Sequence, residues 1–395
     1  MGRGVPAQII EKWRLGRNVD RAPFFLICKA RRKKVCCDFD YLLTSRLCRQ
    51  IGKSELHNPP KYDMIFPTRN HNRRGCIMFD VIALGELLID FAPKSVDAAG
   101  YPTLAANPGG APGNFLAALN KYGCSVAMLG KVGDDMFGRL LLNTLKEAGI
   151  ETRGIVVDPR QFTTLAFVAL DEHGNRDFSF ARKPGADTCL TADELDTALL
   201  EGSRVFHFGT LSLTDDPART ATHRAVALAK ERGMLVSLDP NLRKPLWPSM
   251  DAAREAIEWS LRQADIVKIS DEEIEFLWGI DPEAGAQKLL SEYGVSLVYA
   301  TLGPKGCHTA NKNGAVTVSS PTGIKVVDTT GAGDIFGGSA MGRFPKLGKA
   351  PSELTPAELE AITRFACTAA SLSTQQHGGI SSVPDIEAVE KKLAE

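Results

Sequence analysis

The chain has 395 residues, and 44% of them are hydrophobic, which is enough to bury the core of one large α/β domain or of two smaller ones. Its 47 Lys and Arg balance 47 Asp and Glu, yet residues 1–77 hold 17 basic against 6 acidic residues and the remainder holds 30 against 41. The acidic main body lacks the basic surface that binds nucleic acid, and its most apolar stretch, VIALGELLIDFAP, is too short and too charged to span a membrane.

Cysteine usage points to the cellular compartment. None of the nine cysteines forms a CxxC pair, and the chain contains no N-x-S/T acceptor for glycosylation. Both observations favour a reduced intracellular setting. We therefore expect a cytoplasmic protein that binds neither nucleic acid nor membrane.

Residues 1–77 differ from the rest of the chain, because their apolar positions keep neither a helical nor a strand period for long. The GKS at 52–54 is not a phosphate loop, since Leu47 stands where that loop requires glycine. We expect a basic extension that is disordered or belongs to a misassigned gene start, and that is dispensable for folding and turnover. A basic targeting arm is the alternative.

From residue 78 onward, strand and helix patterns alternate. FDVIALGELLIDF predicts a buried strand that turns at Gly85, and DDMFGRLLLNTLKEAG predicts a helix capped by Asp134 or Asp135, with Leu140 and Leu141 on its apolar face. The later runs SRVFHFG, GMLVSLD, ADIVKIS and SLVYATLG are typical of parallel strands separated by helices. This alternation predicts one α/β domain over residues 78–395, with a doubly wound, mostly parallel sheet flanked by helices.

Two segments interrupt the alternation, near residues 91–106 and 160–182. The second has alternating residues on either side of HGN, which predicts a β-hairpin. Short antiparallel additions to an α/β body often act as lids that exclude water from a reacting centre. We expect a small β lid, and two copies of the chain could pair through it.

Polar groups come directly after three of the predicted strands: DPNLR at 239–243, SDEE at 270–273 and TLGPKG at 301–306. The carboxyl ends of parallel strands lie at one edge of a sheet, so these groups could share one cleft. The glycine-rich GGAPGN at 109–114 precedes a helix-like stretch, where backbone can closely approach a small polar ligand.

The stretch DTTGAGD at 328–334 also ends at a predicted helix start, where free N–H groups and the helix dipole favour an anion. A carboxylate beside an anion site suggests phosphoryl transfer, in which Asp334 accepts the proton of an attacking hydroxyl. The simpler alternative is that Asp334 only caps the helix.

These residues carry a family resemblance. GGAPGNFLAALNKYG and DTTGAGDIFGG, about 220 residues apart and in this order, resemble the paired signatures of the ribokinase-like (PfkB) carbohydrate kinases, from residue 78 almost to the C-terminus. DPNLRKPLW, GTLSLTDDPAR and ARKPGADTCLT are similar to phrases of fructokinases, which transfer the ATP γ-phosphate to the 6-hydroxyl of fructose. Two alternatives remain open: a kinase for another sugar or nucleoside, such as ribose or 2-keto-3-deoxygluconate, and a catalytically silent carbohydrate-binding relative.

The resemblance implies ATP and Mg²⁺ as cofactors, and it leaves a requirement for K⁺ open. It implies that Asp334 is the general base, that Gly331, Ala332 and Gly333 form the anion hole, and that Glu273 organises magnesium through water. Ser270 stands where many relatives have Asn.

The resemblance also divides the remaining site residues between the two substrates. Those expected to bind the sugar are Asp90, Gly109, Gly110, Asn114 and Arg182. Those expected to line the nucleotide side are Thr301, Gly303 and Gly306.

Overall fold

The structure is a computed structural model, and it describes residues 79–170, 176–343 and 347–395. The predictions for residues 1–77 and for the HGN tip of the hairpin concern residues outside these ranges. Across the described ranges, no helix combines the length and the apolar character needed to cross a membrane. The cytoplasmic location stays a prediction.

Thirteen strands are found in the described residues, and we number them in chain order. They are β1 (Val81–Leu84), β2 (Leu88–Val96), β3 (Pro102–Gly109), β4 (Val126–Gly133), β5 (Glu151–Asp158), β6 (Thr164–Leu170), β7 (Arg176–Ala181), β8 (Val205–Gly209), β9 (Leu235–Asp239), β10 (Ile266–Ser270), β11 (Leu297–Thr301), β12 (Cys307–Asn311) and β13 (Gly314–Val318).

Nine strands form the main sheet, in the order β13-β12-β11-β10-β9-β8-β1-β4-β5. The seven strands from β11 to β5 are parallel, and β12 and β13 add an antiparallel hairpin at one edge. All four strands predicted as parallel are present, as β8 to β11. The prediction of a mostly parallel sheet is confirmed.

The α-helices of the described residues flank this sheet on both faces. They are α1 (Ala111–Lys121), α2 (Met136–Glu147), α3 (Ala218–Glu231), α4 (Met250–Leu261), α5 (Asp271–Trp278), α6 (Pro282–Glu292), α7 (Ala332–Arg343), α8 (Pro356–Ser373) and α9 (Ile386–Leu393). Side chains alternate along β1, so that Ile82 and Leu84 enter the core under α3 to α6, whereas Val81 and Ala83 enter the core under α1, α2, α7 and α8. The sheet is therefore doubly wound, as predicted.

Helix α2 tests two predictions made from its local sequence, the capping residue and the buried face. The Asp135 side chain accepts hydrogen bonds from the backbone N–H groups of Phe137 and Gly138, so Asp135 is the cap. Leu141 is buried as predicted, but Leu140 is 37% exposed. Placing Leu140 on the buried face was wrong, because it lies about 100° around the helix from Leu141.

The two segments that interrupt the alternation meet in a second sheet, with strand order β3-β2-β6-β7. Strand β2 pairs antiparallel with β3 and parallel with β6, and β6 pairs antiparallel with β7 as the predicted hairpin. Phe91 stacks on Phe167 within this sheet and meets Phe137 of α2 edge to face, at centroid distances of 5.2 and 5.6 Å. The small sheet is thereby anchored on the main body. Its movement as a lid stays a prediction.

Candidate active site

A cleft opens beside β1, where the strand order reverses. The chain passes outward from β1 through β4 to β5, and β8 then pairs with the other side of β1. Ligands of open α/β sheets bind at such switch points. The cleft is lined by Glu86, Leu88, Asp90, Gly110, Ala111, Asn114, Phe180, Leu211, Asn241, Arg243, Thr329, Thr330, Gly331 and Asp334.

Asp334 lies in the first turn of α7 and is only 8% exposed. Its Oδ2 accepts a hydrogen bond of 2.9 Å from Asn114 Nδ2, which joins the two glycine-rich motifs across 220 positions of sequence. The pKa of Asp334 is raised to about 7, mainly by burial and also by the nearby Asp239 carboxylate, against the lowering effects of the Asn114 hydrogen bond, Lys268 and Arg243. A carboxyl group that ionises near neutral pH is suited to accept a proton.

The GAGD turn before this carboxylate needs its glycines. Gly331 has a φ of +75°, and a Cβ there would lie 2.9 Å from Gly379 Cα. Ala332 and Gly333 open α7, and the first N–H groups of a helix have no partner within the helix, although Ala332 N–H reaches Thr329 O at 3.3 Å. The turn therefore has the geometry of a helix start that suits an anion.

The residues expected to bind sugar fall into two groups. Asp90, Gly110 and Asn114 line the cleft with Asp334. Gly109 lies behind Asp90, and a Cβ on it would come within 2.7 Å of Asp90 Oδ2. Glycine at 109 therefore leaves room for that carboxylate.

Arg182 does not line this cleft. Its side chain is 2% exposed and pairs with Asp187 at 2.7 Å, and it also donates to Thr214 Oγ1 and to the Leu211 carbonyl. The guanidinium holds the end of the small sheet against the loop after β8 rather than lining the cleft of Asp334. Its contact with the sugar stays a prediction, since its position just after the hairpin does not show which way the side chain turns.

Sequence reasoning missed Glu86, which lines the cleft and is 3% exposed. Its Oε1 accepts a 2.9 Å hydrogen bond from Ala111 N–H at the start of α1, and burial raises its pKa to about 6. A carboxylate in the middle of the apolar run VIALGELLI was the available signal. Asn241, with a φ of +49°, and Arg243 also line the cleft.

Glu273 connects the DPNLR segment at the end of β9 with the start of α5 through hydrogen bonds. Its Oε1 accepts a hydrogen bond from Leu242 N–H at 2.8 Å, and its Oε2 accepts one from Ser270 N–H at 2.9 Å. Ser270 Oγ in turn accepts from Glu273 N–H, which completes a capping box at the start of α5. Each carboxylate oxygen has accepted one hydrogen bond and has capacity for a second.

The residues expected on the nucleotide side lie on and after the neighbouring strand. Thr301 ends β11 and lies opposite Ser270 of β10 in the parallel register. Gly303 and Gly306 bound the turn after it, with φ values of +55° and +114°. A Cβ on Gly306 would lie 1.9 Å from Val318 O, whereas one on Gly303 would meet nothing within 4 Å.

We expect Gly306→Ala to lower the free energy of unfolding by at least about 2 kcal/mol, because the conformation is open to glycine almost alone and the added methyl group overlaps a carbonyl. Gly303→Asn is the matched control, since Asn tolerates the left-handed region and has space there. Thermal melts and the KM for ATP would be measured for both variants. Equal behaviour of the two variants would contradict the prediction.

A model of the pfkB family of carbohydrate kinases matches residues 78–386. The chain belongs to this family. Fructokinase-1 of Zea mays is 43% identical over 311 residues, which is 77% of this chain and 94% of that protein. The family assignment therefore agrees with the motifs and covers the whole of the main sheet, the small sheet and the cleft.

Comparison with solved structures supports the same fold. A fructokinase from Xylella fastidiosa with bound ATP matches with a TM-score of 0.73 and 29% identity, and the match covers 80% of this chain and 99% of that one. A fructokinase from Vibrio cholerae with fructose, ADP and a potassium ion matches with a TM-score of 0.71 and 31% identity, at the same coverage. The fold class predicted from the sequence is confirmed.

Proposed function

We propose that this pfkB-family carbohydrate kinase is an ATP-dependent fructokinase that phosphorylates the 6-hydroxyl of fructose. The observation that carries the chemistry is Asp334, a buried carboxyl group with a pKa of about 7 beside a glycine-rich helix start. The sugar is inferred from the relatives, because the Zea mays protein and both solved structures are named fructokinases.

In the proposed reaction, Asp334 accepts the proton of the 6-hydroxyl as the sugar oxygen forms its bond to the γ-phosphorus of ATP. The bond between that phosphorus and the β,γ-bridging oxygen breaks, and ADP leaves with the electron pair. Backbone N–H groups of Gly331, Ala332 and Gly333 stabilise the charge on the transferring group. Asn114 holds Asp334 in place through its 2.9 Å hydrogen bond.

The sugar would bind against Asp90, Gly110 and Asn114 on the floor of the cleft, with Gly109 giving Asp90 its room. Glu86 is a further candidate for a sugar hydroxyl, because it lines the same cleft. The adenine nucleotide would approach from the side of Thr301, Gly303 and Gly306. These assignments rest on position in the cleft and on the family resemblance.

The side chains near the site suit a Mg²⁺ ion that binds together with ATP. Among the described residues, no group of three or more His, Cys, Asp or Glu could hold a metal by itself. Mg²⁺ in kinases keeps several waters and relies on substrate phosphates, and Glu273 has oxygen capacity left to accept such a water. Bound there, the ion would neutralise phosphate charge. K⁺ is included in the proposal because the Vibrio cholerae structure contains it.

The pKa of Asp334 predicts the pH dependence. The base works only when ionised, so kcat/KM for fructose is expected to fall tenfold per pH unit below about pH 7 and to level off above it. The measurement is kcat/KM from pH 5.5 to 9 with saturating ATP. A kcat/KM that stays level down to pH 5.5, as expected for the ordinary aspartate pKa near 4, would contradict the predicted environment of this group.

The substrate is tested by a panel of fructose, ribose, 2-keto-3-deoxygluconate and adenosine, assayed for ADP release that requires the acceptor. Fructose is expected to give the highest kcat/KM. A higher value with another acceptor would replace the substrate but keep the kinase. No ADP release with any acceptor would favour a silent carbohydrate-binding relative.

We also infer that two copies pair through the small sheet. The small sheet exposes apolar surface. It comes from Val96 on β2, Leu104 on β3, Phe167 on β6 and Tyr101 in the turn between β2 and β3, and Tyr101 is 70% exposed. Sedimentation of the protein is expected to show a dimer that Leu104→Lys weakens. A monomer at all concentrations would contradict this inference.

A further inference from the structure

A largely buried lysine lies directly beneath the GAGD turn. Lys268 comes from the middle of β10, and its side chain is 13% exposed. Its Nζ is 2.9 Å from Asp239 Oδ2, and a Cβ placed on Gly333 would lie only 3.1 Å from the same nitrogen. Glycine at 333 therefore leaves the space that the ammonium group occupies.

Three carboxylates surround this ammonium group. Asp239 bonds it directly, and Asp334 and Glu273 lie close enough to raise the pKa of Lys268, against the lowering effect of burial. Asp239 Oδ1 is buried and has no hydrogen-bond partner among the described residues. Lys268 therefore balances the negative charge of more than one carboxylate.

The neighbouring histidine does not supply that positive charge. His207 stacks on Phe115 at a centroid distance of 3.8 Å and bonds Ser237 through Nδ1. Burial lowers the pKa of His207 to about 4, so the ring is neutral at pH 7. Lys268 from below and Arg243 from the cleft lower the pKa of Asp334, and Asp239 raises it. Glu86 and Asp90 are further carboxyl groups that line the same cleft.

We propose that Lys268 is a positioning residue for phosphoryl transfer, whose ammonium group supports the GAGD turn from below and keeps Asp334 ionised beside Asp239. The proposal rests on the proposed kinase function. No substrate atom need touch Lys268, because it acts through the carboxylate and the turn that lie over it.

The charges around Asp334 predict the direction in which each substitution shifts its pKa. An opposite charge within a few ångströms favours the ionised form of a carboxyl group by roughly 1 to 3 pKa units, and a like charge has the reverse effect. Removing the Lys268 charge should therefore make Asp334 harder to ionise. Removing the Asp239 charge should make it easier.

Lys131 provides a matched control elsewhere in the fold. It is also a buried lysine, 2% exposed, and it pairs with Asp158 at 2.9 Å and Glu194 at 2.8 Å. It does not line the cleft. A substitution there removes the same kind of buried ion pair without touching the GAGD turn.

The test compares Lys268→Met, Asp239→Asn and Lys131→Met in the full chain, with kcat/KM for fructose measured against pH. For Lys268→Met, the acid limb is expected to move up by roughly one to two units, so that activity at pH 7 falls roughly 5- to 50-fold and recovers toward pH 9. Asp239→Asn should move the limb down. Lys131→Met should lower the melting temperature and leave the limb unchanged.

A second readout does not depend on turnover. The Asp334 carboxyl carbon can be monitored by ¹³C NMR in the free protein, with Asp334→Asn used to assign its signal, and its midpoint should shift in the same two directions. An unmoved midpoint in Lys268→Met or in Asp239→Asn would overturn the proposal. If Lys268→Met fails to fold, Lys268→Gln is measured in its place, and an unmoved midpoint there would overturn the proposal. A wild-type protein inactive on every acceptor would instead refute the proposed function, whatever the NMR result.

Discussion

Asp334→Asn is expected to lower kcat by about 10²- to 10⁴-fold, or about 3 to 5 kcal/mol of activation free energy, with little change in the KM for fructose. Asn keeps the size of the side chain, and its oxygen can still accept the hydrogen bond from Asn114. It cannot accept the proton of the hydroxyl, so the loss should fall on turnover rather than on binding.

The variant should fold as well as the parent or better at pH 8. The folded-state pKa of Asp334 is raised to about 7 from an unfolded value near 4, so above pH 4 the ionised carboxylate opposes folding, and Asn removes that cost. Asp135→Asn is the matched control, because Asp135 caps α2 from a helix start outside the cleft. Turnover of Asp334→Asn within threefold of the parent would end its assignment as the base.

Arg182→Met is expected to lower the free energy of unfolding by about 3 to 5 kcal/mol. The substitution leaves Asp187 charged and buried, since both members of this pair are 2% exposed. It also removes the donors that Thr214 Oγ1 and the Leu211 carbonyl use. Chemical denaturation of the variant measures the loss.

Arg160→Met is the control for Arg182→Met. Arg160 is 80% exposed and lies 3.5 Å from Asp158, so its removal should change stability by about 1 kcal/mol or less. A stable Arg182→Met protein with a greatly raised KM for fructose would instead support the sugar contact that the sequence predicted.

Much of the fold could be predicted from the sequence, because strands of a parallel sheet are buried on both faces and appear as short continuous apolar runs. SRVFHFG and GMLVSLD became β8 and β9 for this reason. The small sheet could be predicted from the two segments that lack the helical period. Its strand order could not, since β2 pairs with β6 across a long stretch of chain.

The candidate site was predicted less completely than the fold. Asn114 and Asp334 belong to motifs, and the structure joins them by a hydrogen bond. Glu86 and Lys268 belong to none. Glu86 lies in the turn between β1 and β2, Lys268 lies in the apolar strand β10, and the role of each depends on what the fold places beside it. The contacts of Arg182 could not be predicted from sequence, because tertiary structure brings its partners Asp187, Thr214 and Leu211 to it.

In the proposed reaction, this chain transfers the γ-phosphate of ATP to the 6-hydroxyl of fructose with Asp334 as base. The most direct measurement is ¹H–³¹P correlation NMR of the product formed from fructose and ATP, by the parent and by Asp334→Asn. We expect phosphate on C6, with one ADP per sugar phosphate, and a signal that builds up at least about 100-fold more slowly with the variant. Phosphate on C1, no sugar phosphate, or equal rates for the two proteins would contradict it.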